Sequence, residues 1–160
     1  MQLTFAQGEL DAPDVQDLLA LHWQAMRAAS PPHACHVLEL GSLRDPAITF
    51  WSAREQGRLV AVGALKELAP DQGEIKSMRT ASTDLGRGIG AAMLRTIIGE
   101  AQARGYRRLS LETGSTPTFA PAIRLYERAG FRRCGPFGGY PPSEFTSFMT
   151  LDLQPSLHRT

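Results

Sequence analysis

The 160-residue chain has few of the features that mark specialised protein classes. Its two cysteines, Cys35 and Cys134, are far apart and match no metal or redox spacing, which fits a reducing compartment, although two cysteines could pair in a secreted protein. The 17 basic residues nearly balance the 16 acidic ones, so nothing predicts a nucleic-acid partner. No apolar run approaches membrane-spanning length, and no positive leader precedes an apolar segment. These absences predict a cytoplasmic protein without a membrane or nucleic-acid partner.

The most informative segment is a glycine-rich one. Three glycines, Gly86, Gly88 and Gly90, alternate between a strand-like segment at 74–80 and an apolar, helix-forming segment. Glycine lets backbone N–H groups surround a ligand without a Cβ in the way, and a helix start adds unpaired donors and a positive dipole end. The pattern predicts a site for a phosphate or pyrophosphate. The alternative is a loop whose glycines only permit a tight turn from strand to helix.

The remaining patterns predict one domain with a mixed sheet and helices, an α/β or α+β fold. A helix capped by Asp11 carries Pro13 in its first turn, and Ser30 followed by two prolines ends it. Gln56-Gly57 joins two strands as a hairpin, and Gly105 closes the helix that follows the glycine-rich loop. The segment 33–45 could hold a further short helix. Strands are predicted at 3–6, 48–54, 59–68, 74–80, 107–112, 131–135 and 146–153, and a last helix at 121–129.

Two segments resemble signatures of the GNAT superfamily of N-acetyltransferases, which use acetyl-coenzyme A. The family's pyrophosphate signature is [Gln/Arg]-x-x-Gly-x-[Gly/Ala], and residues 85–90 supply its glycines, with Leu85 in the first position. Residues 122–131, Ala-Ile-Arg-Leu-Tyr-Glu-Arg-Ala-Gly-Phe, are similar to the family's A-I-x-L-Y-x-x-x-G-F segment. Phe119 replaces the asparagine that often begins that segment. The resemblance covers about Arg58 to Leu153.

The resemblance implies a fold and an activity. We expect one N-acetyltransferase domain over residues 1–153 and a tail at 154–160. Its twisted sheet would be mixed but mostly antiparallel, with about six to seven strands and about four helices. The enzyme would bind acetyl-CoA and an amine of a small molecule or peptide together, without a metal, and relatives are commonly homodimers. Because neither motif contains a cysteine, an acetyl-cysteine intermediate is not indicated and the amine would attack the thioester directly.

The resemblance also implies catalytic roles. Tyr126 would lie beside the sulfur of coenzyme A and protonate the departing thiolate, whereas the alternative is a core-edge tyrosine bonded to a backbone carbonyl. Glu74 would be the general base, often through water, and Glu112 is the alternative carboxylate. The competing interpretation of Glu74 is a solvent-facing residue at a strand edge.

Cofactor contacts follow from the same resemblance. Strand residues before the loop would bind the pantetheine arm through their backbone, and the loop with Arg87 would hold the pyrophosphate. The expected cofactor contacts are Met78, Arg79, Thr80, Leu85, Gly86, Arg87, Gly88, Ile89, Gly90, Ala91, Thr113 and Ala122.

The part of the chain that would bind the acceptor resembles the family least. Candidate acceptor contacts are Tyr140, Glu112, His22 and Arg27. The run His33-Ala34-Cys35-His36 contains three possible metal ligands, but no partner pair with zinc spacing exists elsewhere, and this segment could instead border the acceptor pocket.

Two other functions compete with the acetyltransferase hypothesis. Residues 86–91 satisfy the G-x-G-x-x-[G/A] pattern of a dinucleotide-binding oxidoreductase, with Glu112 at about the distance of a ribose-binding acid. Three features count against the oxidoreductase. Residues 81–85 separate the strand from the glycines, polar and apolar residues alternate along the strand instead of forming a buried apolar run, and little chain remains for a doubly wound sheet.

The other alternative is a non-catalytic module that binds CoA or acyl-CoA. Leu85 and Phe119 favour such a module, whereas Tyr126 counts against it because a binder needs no acid.

Overall fold

The fold is a single seven-stranded mixed sheet flanked by three α-helices. The computed structural model describes residues 1–153, and the tail predicted at 154–160 lies outside the described residues. In space the strands run β1-β2-β3-β4-β5-β7-β6, and every pair is antiparallel except β4 with β5. Within the described part, no helix is long and apolar enough to cross a membrane. The elements are β1 (Thr4–Gln7), α1 (Pro13–Ala29), β2 (Ile48–Glu55), β3 (Arg58–Ala69), β4 (Gln72–Thr80), α2 (Ile89–Ala103), β5 (Arg108–Gly114), α3 (Ala120–Arg128), β6 (Arg132–Cys134) and β7 (Thr146–Asp152).

This architecture confirms the mixed, mostly antiparallel sheet and corrects two details. About four helices were expected, but residues 1–153 contain three α-helices, because the 33–45 segment forms only short 3-10 turns at Pro32–Ala34 and Ser42–Arg44. The first of these turns ends at Cys35, whose backbone is extended, so no longer helix continues from it. Asp11 does not cap α1: the N-cap is Ala12, without a side-chain bond, and Asp11 instead accepts a 2.7 Å hydrogen bond from Arg44.

The two faces of the sheet are covered by different helices. On one face α1 packs its buried residues, Val15, Leu18 and Leu19, against Val62 and Ala64 of β3. On the other face lie the buried apolar residues of α2 and α3. Gly63 allows close packing there, because a Cβ at this glycine would lie 3.0 Å from the Met93 side chain. The sheet therefore separates most of α1 from the side that carries both sequence motifs, while Met26 and Ala29, near the end of α1, pack against the core on that side.

A break in strand pairing creates the opening in which the site lies. The parallel strands β4 and β5 pair from Gln72 with Arg108 as far as Ile75 with Leu111, and the register then ends. Just beyond, β4 contains a bulge, where the register against β3 shifts and Ser77 adopts a φ of 57°. A bulge bends its strand and increases the local twist. The last residues of β4 consequently pair with β3 alone, and β5 turns away with β7.

Candidate functional site

A cavity of about 630 Å³ opens where β4 and β5 separate. Its size is typical of a small-molecule or cofactor site. The ends of β4 and β5 form its floor, and α1, the segment 34–38, the glycine-rich loop with the start of α2, and α3 form its walls. The parts of the chain that carry the two motifs therefore meet around one opening.

Most of the predicted site residues line this cavity. All predicted cofactor contacts except Arg87 do so, and Tyr126, Glu112 and His22 join them. Glu74, Tyr140 and Arg27 do not line it. The lining residues among the predicted cofactor contacts are Met78, Arg79, Thr80, Leu85, Gly86, Gly88, Ile89, Gly90, Ala91, Thr113 and Ala122.

The glycine-rich loop has the backbone geometry of an anion site. Gly86 and Gly88 have φ angles of 77° and 81°, a conformation that only glycine adopts without strain. A Cβ at either position would meet no atom within 4 Å, so the requirement for glycine there is conformational rather than steric. Gly88 is the N-cap of α2, with no side-chain cap. The N–H groups of the first turn of α2 therefore remain available to a ligand in the cavity.

The side chain of Arg87 points to a different part of the molecule. Its guanidinium donates to Glu55 and to Asp84, each at 2.7 Å, and Arg58 also donates to Asp84 at 2.7 Å. The hydrogen bond from Arg58, and after it those from Thr83 and Arg87, hold the pKa of the Asp84 carboxyl well below its usual range. Arg87 thus ties the loop to the β2–β3 hairpin, and its predicted contact with a pyrophosphate is not formed in this arrangement.

Tyr126 presents its hydroxyl on the cavity wall formed by α3. Its ring packs edge-on against Phe131, with 5.7 Å between the ring centroids, and only 7% of the residue is exposed. Within residues 1–153 no group accepts a hydrogen bond from this hydroxyl, so the alternative of a tyrosine bonded to a backbone carbonyl has no support. Burial raises the pKa of Tyr126 to about 12. The hydroxyl therefore keeps its proton at neutral pH.

Glu74 belongs to a buried polar cluster on the α1 side of the sheet. Its carboxylate accepts hydrogen bonds from the Tyr140 hydroxyl at 2.8 Å and from Lys76 Nζ at 3.3 Å. Lys76 Nζ also donates to the Tyr140 oxygen at 2.6 Å. Since Glu74 is only 1% exposed, its interpretation as a solvent-facing residue is wrong. The sequence analysis missed Lys76, although its position two residues after Glu74 places both side chains on one strand face.

Glu112 and His36 extend this cluster to the cavity. His36 Nδ1 lies 3.3 Å from Glu112 Oε2, and the His36 ring lies against the Tyr140 ring with 4.6 Å between centroids. Burial raises the pKa of Glu112, with the charges of His36 and Lys76 opposing it. In the part of the chain that the structure describes, no three His, Cys, Asp or Glu residues are grouped to hold a metal ion. The segment His33–His36 borders the cavity through Ala34, Cys35 and His36.

His22 of α1, which also lines the cavity, is joined to Arg79 of β4. Arg79 Nε donates to His22 Nδ1 at 3.0 Å. Burial, and then the charge of Arg79, lower the pKa of His22 to about 3, so the imidazole is neutral and its Nδ1 can accept this bond. Arg27 lies outside the cavity, where its guanidinium is 3.9 Å from the centroid of the Trp23 ring. Of the two α1 residues predicted to contact the acceptor, only His22 reaches the site.

Known proteins resemble this chain both in sequence and in fold. The chain is 48% identical over 145 residues to the uncharacterized N-acetyltransferase YsnE of Bacillus subtilis (strain 168), covering 91% of this chain and 96% of that protein. A solved structure from Klebsiella pneumoniae, assigned as an acyl-CoA N-acyltransferase, superposes with a TM-score of 0.79 at 25% identity, covering 96% and 99% of the two chains.

Two further comparisons concern the cofactor and the family. A GNAT structure from Elizabethkingia anophelis with acetyl-CoA bound has the same fold, with a TM-score of 0.70 at 22% identity over 94% of this chain and 98% of that one. The model of the Acetyltransferase (GNAT) family matches residues 15–131. That match covers the cavity, the glycine-rich loop and Tyr126, and the chain therefore belongs to the GNAT family of N-acetyltransferases.

Proposed function

We propose that this protein transfers the acetyl group of acetyl-CoA to a primary amine of a small molecule or peptide by direct attack. One observation carries the proposal: an unpaired strand edge, a glycine-capped helix start and a protonated tyrosine line a single cavity. An extended arm, a pyrophosphate and a leaving thiolate are the three parts of a CoA thioester that these features suit.

The residues present fit the cofactor. The end of β4, from Met78 to Thr80, pairs on one side only and would bind the amides of the pantetheine arm as an added strand. The backbone N–H groups from Gly86 to Ala91 would hold the pyrophosphate, and Leu85, a residue that is 67% exposed, would contribute only its backbone. Bound there, acetyl-CoA supplies an acyl group already activated as a thioester.

Tyr126 is proposed to assist the leaving group. As the amine nitrogen bonds to the thioester carbon, the carbon–sulfur bond breaks and negative charge develops on sulfur. The ordinary pKa of a thiol, about 8.5, is lower than that of this buried tyrosine, so the first contribution of the hydroxyl is a hydrogen bond to the developing thiolate. Proton transfer from Tyr126 then completes the release of CoA as a thiol, and the hydroxyl recovers its proton from solvent.

Glu112 is proposed as the base that takes the proton of the amine, directly or through water. It lines the cavity, and burial raises its pKa towards the range in which a carboxylate accepts protons well. His36 Nδ1 lies 3.3 Å from its Oε2, close enough for an ion pair but without hydrogen-bond geometry. The base role predicted for Glu74 is less well supported, because that carboxylate lies outside the cavity and already accepts bonds from Tyr140 and Lys76.

Calorimetric titration with acetyl-CoA, desulfo-CoA and NAD in parallel, followed by an assay of CoA release with a panel of amines, tests the proposal. We expect micromolar binding of both CoA ligands, no heat with NAD, and amine-dependent release of CoA. Binding of NAD alone would instead favour the oxidoreductase. Binding of CoA ligands without turnover on any amine would favour the non-catalytic module.

A further inference from the structure

Arg79 is a half-buried cation that no carboxylate accompanies. Its Nε donates to the neutral His22, and within residues 1–153 its two terminal nitrogens make no hydrogen bond or ion pair. Burial lowers its pKa, and no acidic neighbour opposes that effect. A guanidinium that is removed from water usually has an anionic partner, because desolvating an uncompensated charge is costly. In the described part of the chain, the two terminal nitrogens of Arg79 are therefore free to bind an anionic ligand.

The other cations of the cavity differ from Arg79 in this respect. Lys76 donates to Glu74, to the Tyr140 hydroxyl and to the carbonyl of His36, which uses all three of its protons. Arg128, at the end of α3, is exposed to solvent. Arg79 alone among these three combines burial, two unused donor nitrogens and a place in the cavity wall.

The side of the sheet on which Arg79 lies indicates which ligand it faces. Its guanidinium reaches His22 of α1, whereas the glycine-rich loop, α2 and Tyr126 of α3 belong to the other side of the cavity. The proposed base Glu112 is on the α1 side as well, because its neighbour Leu111 on β5 packs into the core with α2, and His36 lies beside Glu112. Arg79 thus faces the end of the cavity that remains for the acceptor once the cofactor occupies the end formed by the motifs.

We propose that Arg79, held by His22, binds a carboxylate of the acceptor, so that the substrate is a small amine that also carries a carboxylate. This inference rests on the proposed acetyltransferase function and names its substrate class. The two terminal guanidinium nitrogens match a carboxylate in a bidentate pair. The last β4–β5 pair is Ile75 with Leu111, so Glu112 lies near the level of Lys76, and Arg79 lies further along β4 where that strand is open. Amino acids and dipeptides carry both an amine and a carboxylate, and would place the amine at Glu112 and the carboxylate at Arg79.

The first experiment compares acceptors that differ only in the acidic group. Amino acids and dipeptides, their carboxamides and the amines that lack the carboxyl group are assayed for acetyl-CoA-dependent release of CoA. We expect kcat/KM to be about 10- to 100-fold higher for the acids, the usual effect of a charge-assisted pair. Equal rates on acids and amides would overturn the inference and leave the acetyltransferase function intact. No turnover on any amine would overturn both.

The second experiment removes the charge of Arg79. In Arg79→Gln we expect KM for the preferred acid to rise about 10- to 100-fold, the preference over its carboxamide to disappear, and the Kd of acetyl-CoA measured by calorimetry to stay unchanged. Arg79→Lys should restore part of the preference. Arg95→Gln, an exposed arginine of α2, is the matched control and should change neither constant. A weaker affinity for acetyl-CoA with unchanged acid preference would instead assign Arg79 to the cofactor.

Discussion

The two ends of the cavity are built in different ways. The proposed cofactor end consists mostly of backbone from two continuous segments, the end of β4 with the glycine-rich loop and the start of α3. The proposed acceptor end consists of side chains from α1, the 34–38 segment, β4 and β5, which are far apart in sequence. Backbone recognition depends on φ angles and strand edges and tolerates changes of side chain such as that at Leu85. Side-chain recognition depends on each residue and can diverge between relatives.

The largest effect should come from Tyr126→Phe, which removes the proposed acid without changing the packing against Phe131. We expect kcat to fall about 1,000-fold, within the usual range for an acid–base group, and the Kd of acetyl-CoA to change little. Steady-state kinetics and calorimetry measure the two constants. Tyr106→Phe is the matched control, since that buried hydroxyl donates to Glu67 outside the site and its loss should leave kcat unchanged. Full activity of Tyr126→Phe would contradict the assignment.

Glu112→Gln should reduce kcat/KM about 100-fold, a smaller effect than that of Tyr126→Phe, because water can accept the proton of the amine when the carboxylate is absent. Glu112 acts only when ionised, so activity should rise with pH through its pKa. Since burial raises that pKa, the acid limb of the profile should lie above the ordinary range of glutamate. The variant should lack this limb. The exposed Glu144→Gln serves as control, and an acid limb that persists in Glu112→Gln would exclude Glu112 as its origin.

Gly88→Val tests whether the cofactor end depends on backbone conformation. A φ of 81° strains a β-branched residue by about 1–3 kcal/mol, and the loop should relieve that strain by shifting its N–H groups. We expect about 10-fold weaker binding of acetyl-CoA by calorimetry. Gly99→Ala, in the middle of α2 where a Cβ meets nothing within 4 Å, should leave binding unchanged and stabilise the fold by about 0.5–1 kcal/mol. Equal affinities in both variants would refute the conformational argument.

The smallest effect concerns the stability of the α1 wall. Because the pKa of His22 falls to about 3 in the folded state, the unfolded chain binds a proton below its own pKa of about 6.5 and the folded chain does not. The contribution of neutral His22 to the free energy of unfolding is fully present above pH 6.5 and decreases as the pH falls below that value. Between pH 7.5 and 5.5 it should decrease by about 1 kcal/mol, measured by urea unfolding. His22→Gln should remove this decrease, whereas His33→Gln at an exposed histidine should retain it.

Sequence reasoning predicted most of the residues that line the proposed cofactor end and fewer of those at the proposed acceptor end, for a physical reason. The glycines, Tyr126 and the strand before the loop fall within short segments whose spacing fixes their relative positions. Lys76, His36 and the unaccompanied charge of Arg79 become informative only when the 34–38 segment and α1 meet β4 and β5. The orientation of the Arg87 side chain could not be predicted either, because the fold brings Glu55 next to Asp84 and Arg87.

The separation of β4 from β5 also bears on the behaviour of the protein in concentrated solution. An open strand edge is a template on which another chain can add a strand, and such edges favour aggregation. Here the open edge at the end of β4 lies inside a cleft walled by α1, α3 and the glycine-rich loop. The walls leave less room for the strand of a neighbouring protein, with its side chains on both faces, than a free sheet edge would. They therefore shield this open edge from pairing with other chains.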